Sequence, residues 1–167
     1  MEIKHENLTL SIAKTTTVLR DKNLTVGFAE SCTGGLLSSL FTELAGVSDV
    51  FLGSVVSYDN KVKQKFLNVS AQSLETNGAV SSSVAMQMAD GGRKALEVSV
   101  AVAITGIAGP SGGSTSKPVG TVFIAVAGLQ SETKVFEHHF GGDRKQIQLQ
   151  ACAEAVRHLD DFIKTVN

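Results

Sequence analysis

Apolar and polar positions follow two rhythms along this chain, and the switches between them mark its elements. Leu8, Leu10, Ile12, Val18 and Leu19 fit a surface helix over 7–20, although the threonines at 15, 16 and 17 are weak helix formers. After an Asp21-Lys22-Asn23 turn, residues 24–29 read as a buried strand. A helix then starts beyond Gly34-Gly35 and is stopped near Gly46. Residues 50–58 form a second strand rich in β-formers, followed by a short helix over 60–67 capped by Asp59 or Asn60. Helices over 70–76 and 82–96 come next. The Gly91-Gly92 pair costs the second of these about 1 kcal/mol per glycine, so that helix must lie close against something.

The most continuous apolar run, 98–104, is a third strand. A long glycine- and serine-rich loop leads from it to a fourth strand over 119–126. A short link at 128–132 makes 133–140 its antiparallel hairpin partner. A last helix runs from Gly141-Gly142-Asp143 to about 164. The order α-β-α-β-α-α-β-β-β-α predicts an α/β fold, a three-layer α/β/α sandwich on a mixed, mainly parallel sheet, with 1–167 as one domain.

Composition narrows the partners. With 43% hydrophobic residues over 167 positions, a sizeable core can form and disorder is not expected. A net charge of −1 lacks the basic excess that a nucleic-acid or membrane-surface binder needs, so neither partner is expected. No apolar run reaches the roughly 18 residues that span a bilayer. The polar start, Met1 to Glu6, has no leader-like apolar stretch, so a cytoplasmic protein is expected. Cys32 and Cys152 make neither a disulfide framework nor a zinc pattern.

Three polar, glycine-rich segments follow strand ends: 30–35, 58–63 and 105–118. In α/β sheets the crevice at the carboxyl ends of parallel strands is where ligands bind, so the three are expected to converge on one pocket. The stretch Ala29-Glu30-Ser31-Cys32-Thr33-Gly34-Gly35 runs from a strand straight into a helix. Such a junction can hold a hydroxyl nucleophile beside unpaired amides, or Ser31 or Thr33 can simply cap the helix. Cys32 is the rival nucleophile, because a thiol at a helix start can have a depressed pKa. The Gly109 to Lys117 loop can cradle an anion with help from Lys117 and Arg144, or be an ordinary loop. The histidines, His5, His138, His139 and His158, stand beside no strand-end motif, and no His pair has ligand spacing with a third group. No metal site and no cofactor are therefore expected.

In order along the chain, the seven residues from Ala29, then Tyr58-x-Asn60-x-x-Lys63, Gly78-Ala79-Val80-Ser81, Thr105-Gly106-Ile107-Ala108-Gly109-Pro110-x-Gly112-Gly113, Lys117-Pro118-Val119-Gly120-Thr121-Val122 and Gly142-Asp143-Arg144 resemble the CinA C-terminal domain family. Stand-alone members of that family resemble nicotinamide-nucleotide amidohydrolase. The resemblance implies hydrolysis of the carboxamide of nicotinamide mononucleotide to nicotinate mononucleotide and ammonia. It implies Ser31 as nucleophile with Lys63 and Tyr58 as catalytic partners, a Ser-Lys variant of triad logic. Substrate contacts are expected from Thr33, Gly34, Gly35, Asn60, Gly106, Gly109, Gly112, Gly113, Lys117 and Arg144, with a nucleotide as the small-molecule partner and a homo-oligomer, a dimer by preference, as the assembly. Two positions depart from the family pattern: Ser54 replaces a usual Gly, and Gln148 a usual Arg. Some paralogues lack the deamidase activity, so a silent nucleotide binder is the alternative reading.

Overall fold

The computed structural model describes residues 5–129 and 131–166. The reading of the first four residues and the middle of the 128–132 link lie outside them. The chain forms α1 (His5–Asp21), β1 (Val26–Glu30), α2 (Leu36–Thr42), β2 (Phe51–Val56), α3 (Asn60–Leu67), α4 (Ala71–Asn77), α5 (Ser82–Ala95), β3 (Val100–Gly106), β4 (Thr121–Gly128), β5 (Lys134–His139) and α6 (Arg144–Thr165). Caps set most helix starts. Asp59, Ser70, Ser81 and Asp143 each accept from a backbone N–H in the first turn, and Asp143 forms a capping box with Gln146. The middle threonines of α1 are tolerated because Thr16 and Thr17 donate back to the Ile12 and Ala13 carbonyls. A short 3-10 turn at Val47–Asp49, absent from the sequence reading, leads into β2.

The five strands lie in the order β2-β1-β3-β4-β5. β1 pairs in parallel with β2 and with β3. β4 runs antiparallel to both β3 and β5, so four of the five strands point the same way and the sheet is mixed. Period-two alternation sends Val26, Phe28, Val100, Val102, Ile104, Val122, Ile124 and Val126 to one face, against α1, α2 and α6. The opposite face carries Ala29, Ala103, Ala125 and Ala127 against α5, with α3 and α4 outside it. These are the three layers expected.

The alanine face lets α5 approach closely, and the glycine pair completes the fit. A Cβ on Gly91 would stand 1.8 Å from the Leu67 carbonyl oxygen at the end of α3, and one on Gly92 would meet Ala29 on β1 at 3.3 Å. The two glycines therefore seat both the sheet and the C-terminal end of α3 on α5. That packing fixes where α3 points its residues.

Candidate active site

β1 is fully buried and ends at Glu30, where residue parity decides which side each group takes. Glu30 shares the face of Phe28 and turns toward α2. There its carboxylate accepts from the N–H of Gly35 (3.0 Å), Leu37 (3.1 Å) and Ser38 (2.9 Å), and from Ser38 Oγ (2.6 Å). The anion-binding end of α2 is thus filled by the chain's own carboxylate. Gly34 N–H donates to the Ser31 carbonyl. Gly34 and Gly35, expected as substrate amides, are turned inward by φ of 61° and 99°, left-handed values that glycine accepts readily, and serve the turn itself. Thr33 is buried with its Oγ1 unpartnered and stands outside the cleft lining.

Ser31 is the next residue, on the other side of the sheet end. Its N–H donates to the Ile104 carbonyl of β3, while Ser57 N–H donates to the Glu30 carbonyl, so three parallel strand ends are tied at one level. Ser31 Oγ lies 3.0 Å from Lys63 Nζ. Lys63 comes from the first turns of α3, whose side chains lean toward the helix N-terminus and so back over the strand ends. It is 1% exposed, whereas Lys61 and Lys65 on the same helix are exposed. Its amine also donates to the Ser57 carbonyl at 2.6 Å and the Tyr58 carbonyl at 3.3 Å. Burial pushes the Lys63 pKa below the ordinary lysine value, opposed by the weaker pull of Cys32 and Asp59.

A neutral amine has two N–H groups and one lone pair. The two carbonyls can only accept, so they take both N–H groups. In that neutral form the lone pair faces Ser31 and can accept from its hydroxyl, whereas the ammonium donates to Ser31 Oγ. This arrangement can draw the proton from Ser31 Oγ as the oxygen attacks.

Ser31 and Lys63 form the floor of a cleft of about 300 Å³ at the carboxyl ends of β1, β2 and β3. Tyr58, Asn60, Gly106, Gly109, Gly112 and Arg144 line it, eight of the expected residues in one place with the serine and lysine. Arg144 bridges two walls, donating to the Gly109 carbonyl at 2.7 Å and to the Tyr58 hydroxyl at 2.9 Å. Lys117 is not among the lining residues; its amine donates to the Asn77 carbonyl at 2.7 Å, tying the loop to the end of α4. Gly113 also lies off the cleft, packed so that a Cβ there would meet Val119 N at 2.8 Å.

Cys32 borders the cleft but is 6% exposed, and burial pushes its thiol up to about 12, opposite to the shift a thiolate nucleophile needs. Ala79 and Val80 complete one wall, held by Thr105 Oγ1 donating to the Ala79 carbonyl at 2.8 Å. They lay unassigned in the sequence, although both belong to the Gly78–Ser81 motif. Of the two departures, Gln148 donates to the Cys32 carbonyl at 2.7 Å and steadies the turn from below. Ser54 stands in β2 with a buried, unpartnered Oγ.

A buried serine–lysine pair at the carboxyl ends of parallel strands in a three-layer α/β protein, with an arginine over its cleft, defines the class of site. The particular family follows from comparison: the CinA C-terminal domain model matches residues 8–163, and the chain belongs to that family. It is 46% identical over 153 residues to a CinA-like protein of Trichormus variabilis, a match covering 90% of this chain and 36% of that protein. A CinA-like protein of Crocosphaera subtropica is 51% identical over 137 residues, covering 81% of this chain and 33% of the relative. The chain thus spans about a third of the length of these curated relatives. Among solved structures, the competence/damage inducible protein CihA from Agrobacterium tumefaciens superimposes with a TM-score of 0.92 at 36% identity over 99% of both chains. A CinA superfamily protein from Escherichia coli gives 0.84 at 35% identity, covering 93% of this chain and 88% of its own. Among the described residues no helix is long and apolar enough to cross a membrane.

Proposed function

We propose that the chain is an amide hydrolase acting on a nicotinamide nucleotide, releasing ammonia and leaving nicotinate mononucleotide. The observation that carries this reading is the 3.0 Å contact between Lys63 Nζ and Ser31 Oγ in a buried setting that disfavours the ammonium. The choice of substrate rests on the resemblance to nicotinamide-nucleotide amidohydrolase.

In this reading Ser31 Oγ attacks the carboxamide carbon as Lys63 takes its proton. The Ser31 and Gly34 N–H groups are already committed and Thr33 stands outside the cleft, so the developing oxyanion is assigned to the Cys32 N–H. Lys63 then returns the proton to the departing amine, ammonia leaves, and an ester links nicotinate to Ser31. Water attacks the ester with Lys63 again as base, forming the carboxylate and restoring the serine. Arg144 and the Gly109 to Gly112 backbone hold the phosphate, and Tyr58 flanks the ring.

The test is ammonia release from nicotinamide mononucleotide by the purified protein. Turnover is expected, with Ser31→Ala and Lys63→Ala each abolishing it and the double variant no worse than either, because members of one catalytic unit are non-additive. A second reading, a nucleotide binder without turnover, is favoured by Gln148 standing where the family usually has Arg. Binding without ammonia would establish it. Near-normal turnover in Ser31→Ala would overturn the serine assignment.

A further inference from the structure

β5 is an edge strand, and its residues Phe136 and His138 face α6. The His158 ring stacks on Phe136 at 3.6 Å, nearly parallel, and His138 stacks on Phe140. The two rings meet edge to edge, with His138 Nε2 and His158 Nε2 only 2.9 Å apart. Glu154, one turn before His158 on α6, brings its Oε2 to 3.9 Å from His158 Nε2. One ligand atom from each of the three residues lies within 4.8 Å of the others. None of the three lines the Ser31 cleft.

Two imidazole nitrogens that face each other at this distance share one proton, and a cation can take its place. At the ~2.1 Å typical of a Zn–N bond, a metal touching both nitrogens would subtend about 90°, and a parting of a few tenths of an ångström opens this toward the tetrahedral angle. Two imidazoles and a carboxylate form a donor set suited to a borderline cation of the zinc class. We propose that His138, Glu154 and His158 bind one such divalent ion, which clips the edge strand β5 to α6.

The rings are held ready by stacking. Coordination moves the shared proton from Nε2 to Nδ1 of one ring and needs no net deprotonation. Arg157 occupies the seat meanwhile, 2.6 Å from Glu154 Oε2 and 3.2 Å from His158 Nε2. Its guanidinium is half exposed and already reaches Asp161 at 3.1 Å, so it can swing to that partner and release Glu154 to the metal.

The test is titration of chelator-stripped, dialysed full chain with zinc chloride by calorimetry, and with cobalt(II) by visible absorption. One equivalent is expected to bind, with the intense d–d bands of a four-coordinate cobalt site and a rise in melting temperature. His138→Gln and Glu154→Gln should each weaken zinc by at least ~10-fold, in the range seen when ligand shells are damaged. Arg157→Gln should tighten it, and His139→Gln, an exposed neighbour, should leave it unchanged. Melting curves in chelator establish that each variant folds, and Glu154→Gln carries the test if His138→Gln does not. Absence of stoichiometric binding, or equal affinity in the folded His138→Gln or Glu154→Gln protein, would overturn the site.

Discussion

Replacing Glu30 by glutamine keeps its shape and removes its charge, and the cost can be worked from the four bonds its carboxylate accepts. In the better amide orientation the remaining oxygen keeps Gly35 and Leu37, the new NH2 group faces the Ser38 N–H, and Ser38 Oγ reverses to accept. One buried N–H is left unsatisfied, which costs about 2 kcal/mol, and each surviving bond falls from a charge-assisted to a neutral one, about 1 kcal/mol apiece. Loss of the favourable charge at the start of α2 adds about 0.5 kcal/mol. Relief from burying an anion offsets roughly 2 kcal/mol of this. The net loss is about 3.5 kcal/mol, or roughly 7–14 °C in melting temperature for a chain of this size.

Circular dichroism melts together with urea titration read that value directly. Activity measured well below the melting temperature should fall less than it does for Ser31→Ala, since Glu30 acts by seating the turn that carries Ser31. Ser38→Ala, which deletes only the 2.6 Å hydroxyl bond, should cost about 1 kcal/mol. A Glu30→Gln protein within ~1 kcal/mol of wild type yet dead in turnover would refute this reasoning. It would mean that the carboxylate serves the ligand, as a counter-charge to a pyridinium, and not the helix.

Three further outcomes follow from the same geometry. Gly91→Ala should destabilise by about 3 kcal/mol and also slow turnover, because its Cβ must push the Leu67 carbonyl, and with it the helix carrying Lys63, away from α5; a neutral melt would contradict the packing. Arg144→Ala should weaken nucleotide affinity by roughly 10-fold or more, from a lost charge-assisted bond, while an exposed residue changes the melting temperature little; calorimetry with nicotinamide mononucleotide separates the two. For Lys63, whose folded pKa is lowered, the unfolded chain holds more protons between that value and the ordinary lysine one. Stability should therefore rise with pH across that window, and kcat/KM should rise through a limb below the ordinary lysine range. Lys63→Met should flatten the stability slope, and a wild-type limb at the ordinary value would remove Lys63 as the base.

Local chemistry made most of the elements legible. Capping residues at 59, 70, 81 and 143 sit where side-chain oxygens can meet free N–H groups, and such signals are readable from a few adjacent residues. The strand-end segments also converged as the strand alternation implied. What escaped was the direction each polar group takes. The turn after β1 looks like an open amide cluster until strand parity is counted: Glu30 stands two residues from Phe28 and so must face α2, where it consumes the amides. The His138, Glu154 and His158 grouping was invisible because only the Glu154-to-His158 spacing is local. The third member arrives through the packing of β5 on α6.

Lys63 was recoverable from periodicity. It stands four residues before the fully buried Leu67, on the same face of α3, whereas the exposed Lys61 and Lys65 do not. A methionine would satisfy that face without a desolvation cost, so packing does not account for a lysine there. The three groups around its amine narrow the explanation. A site built only to neutralise a buried ammonium would place a carboxylate against it, but Glu30 points to α2 and Asp59 caps α3. Two carbonyls and one hydroxyl can serve the two N–H groups and lone pair of a neutral amine, and the hydroxyl is the only one of the three with a proton to give. In the proposed mechanism the cost of burying Lys63 is coupled to one specific proton, on Ser31 Oγ, at the cleft where three strand ends meet.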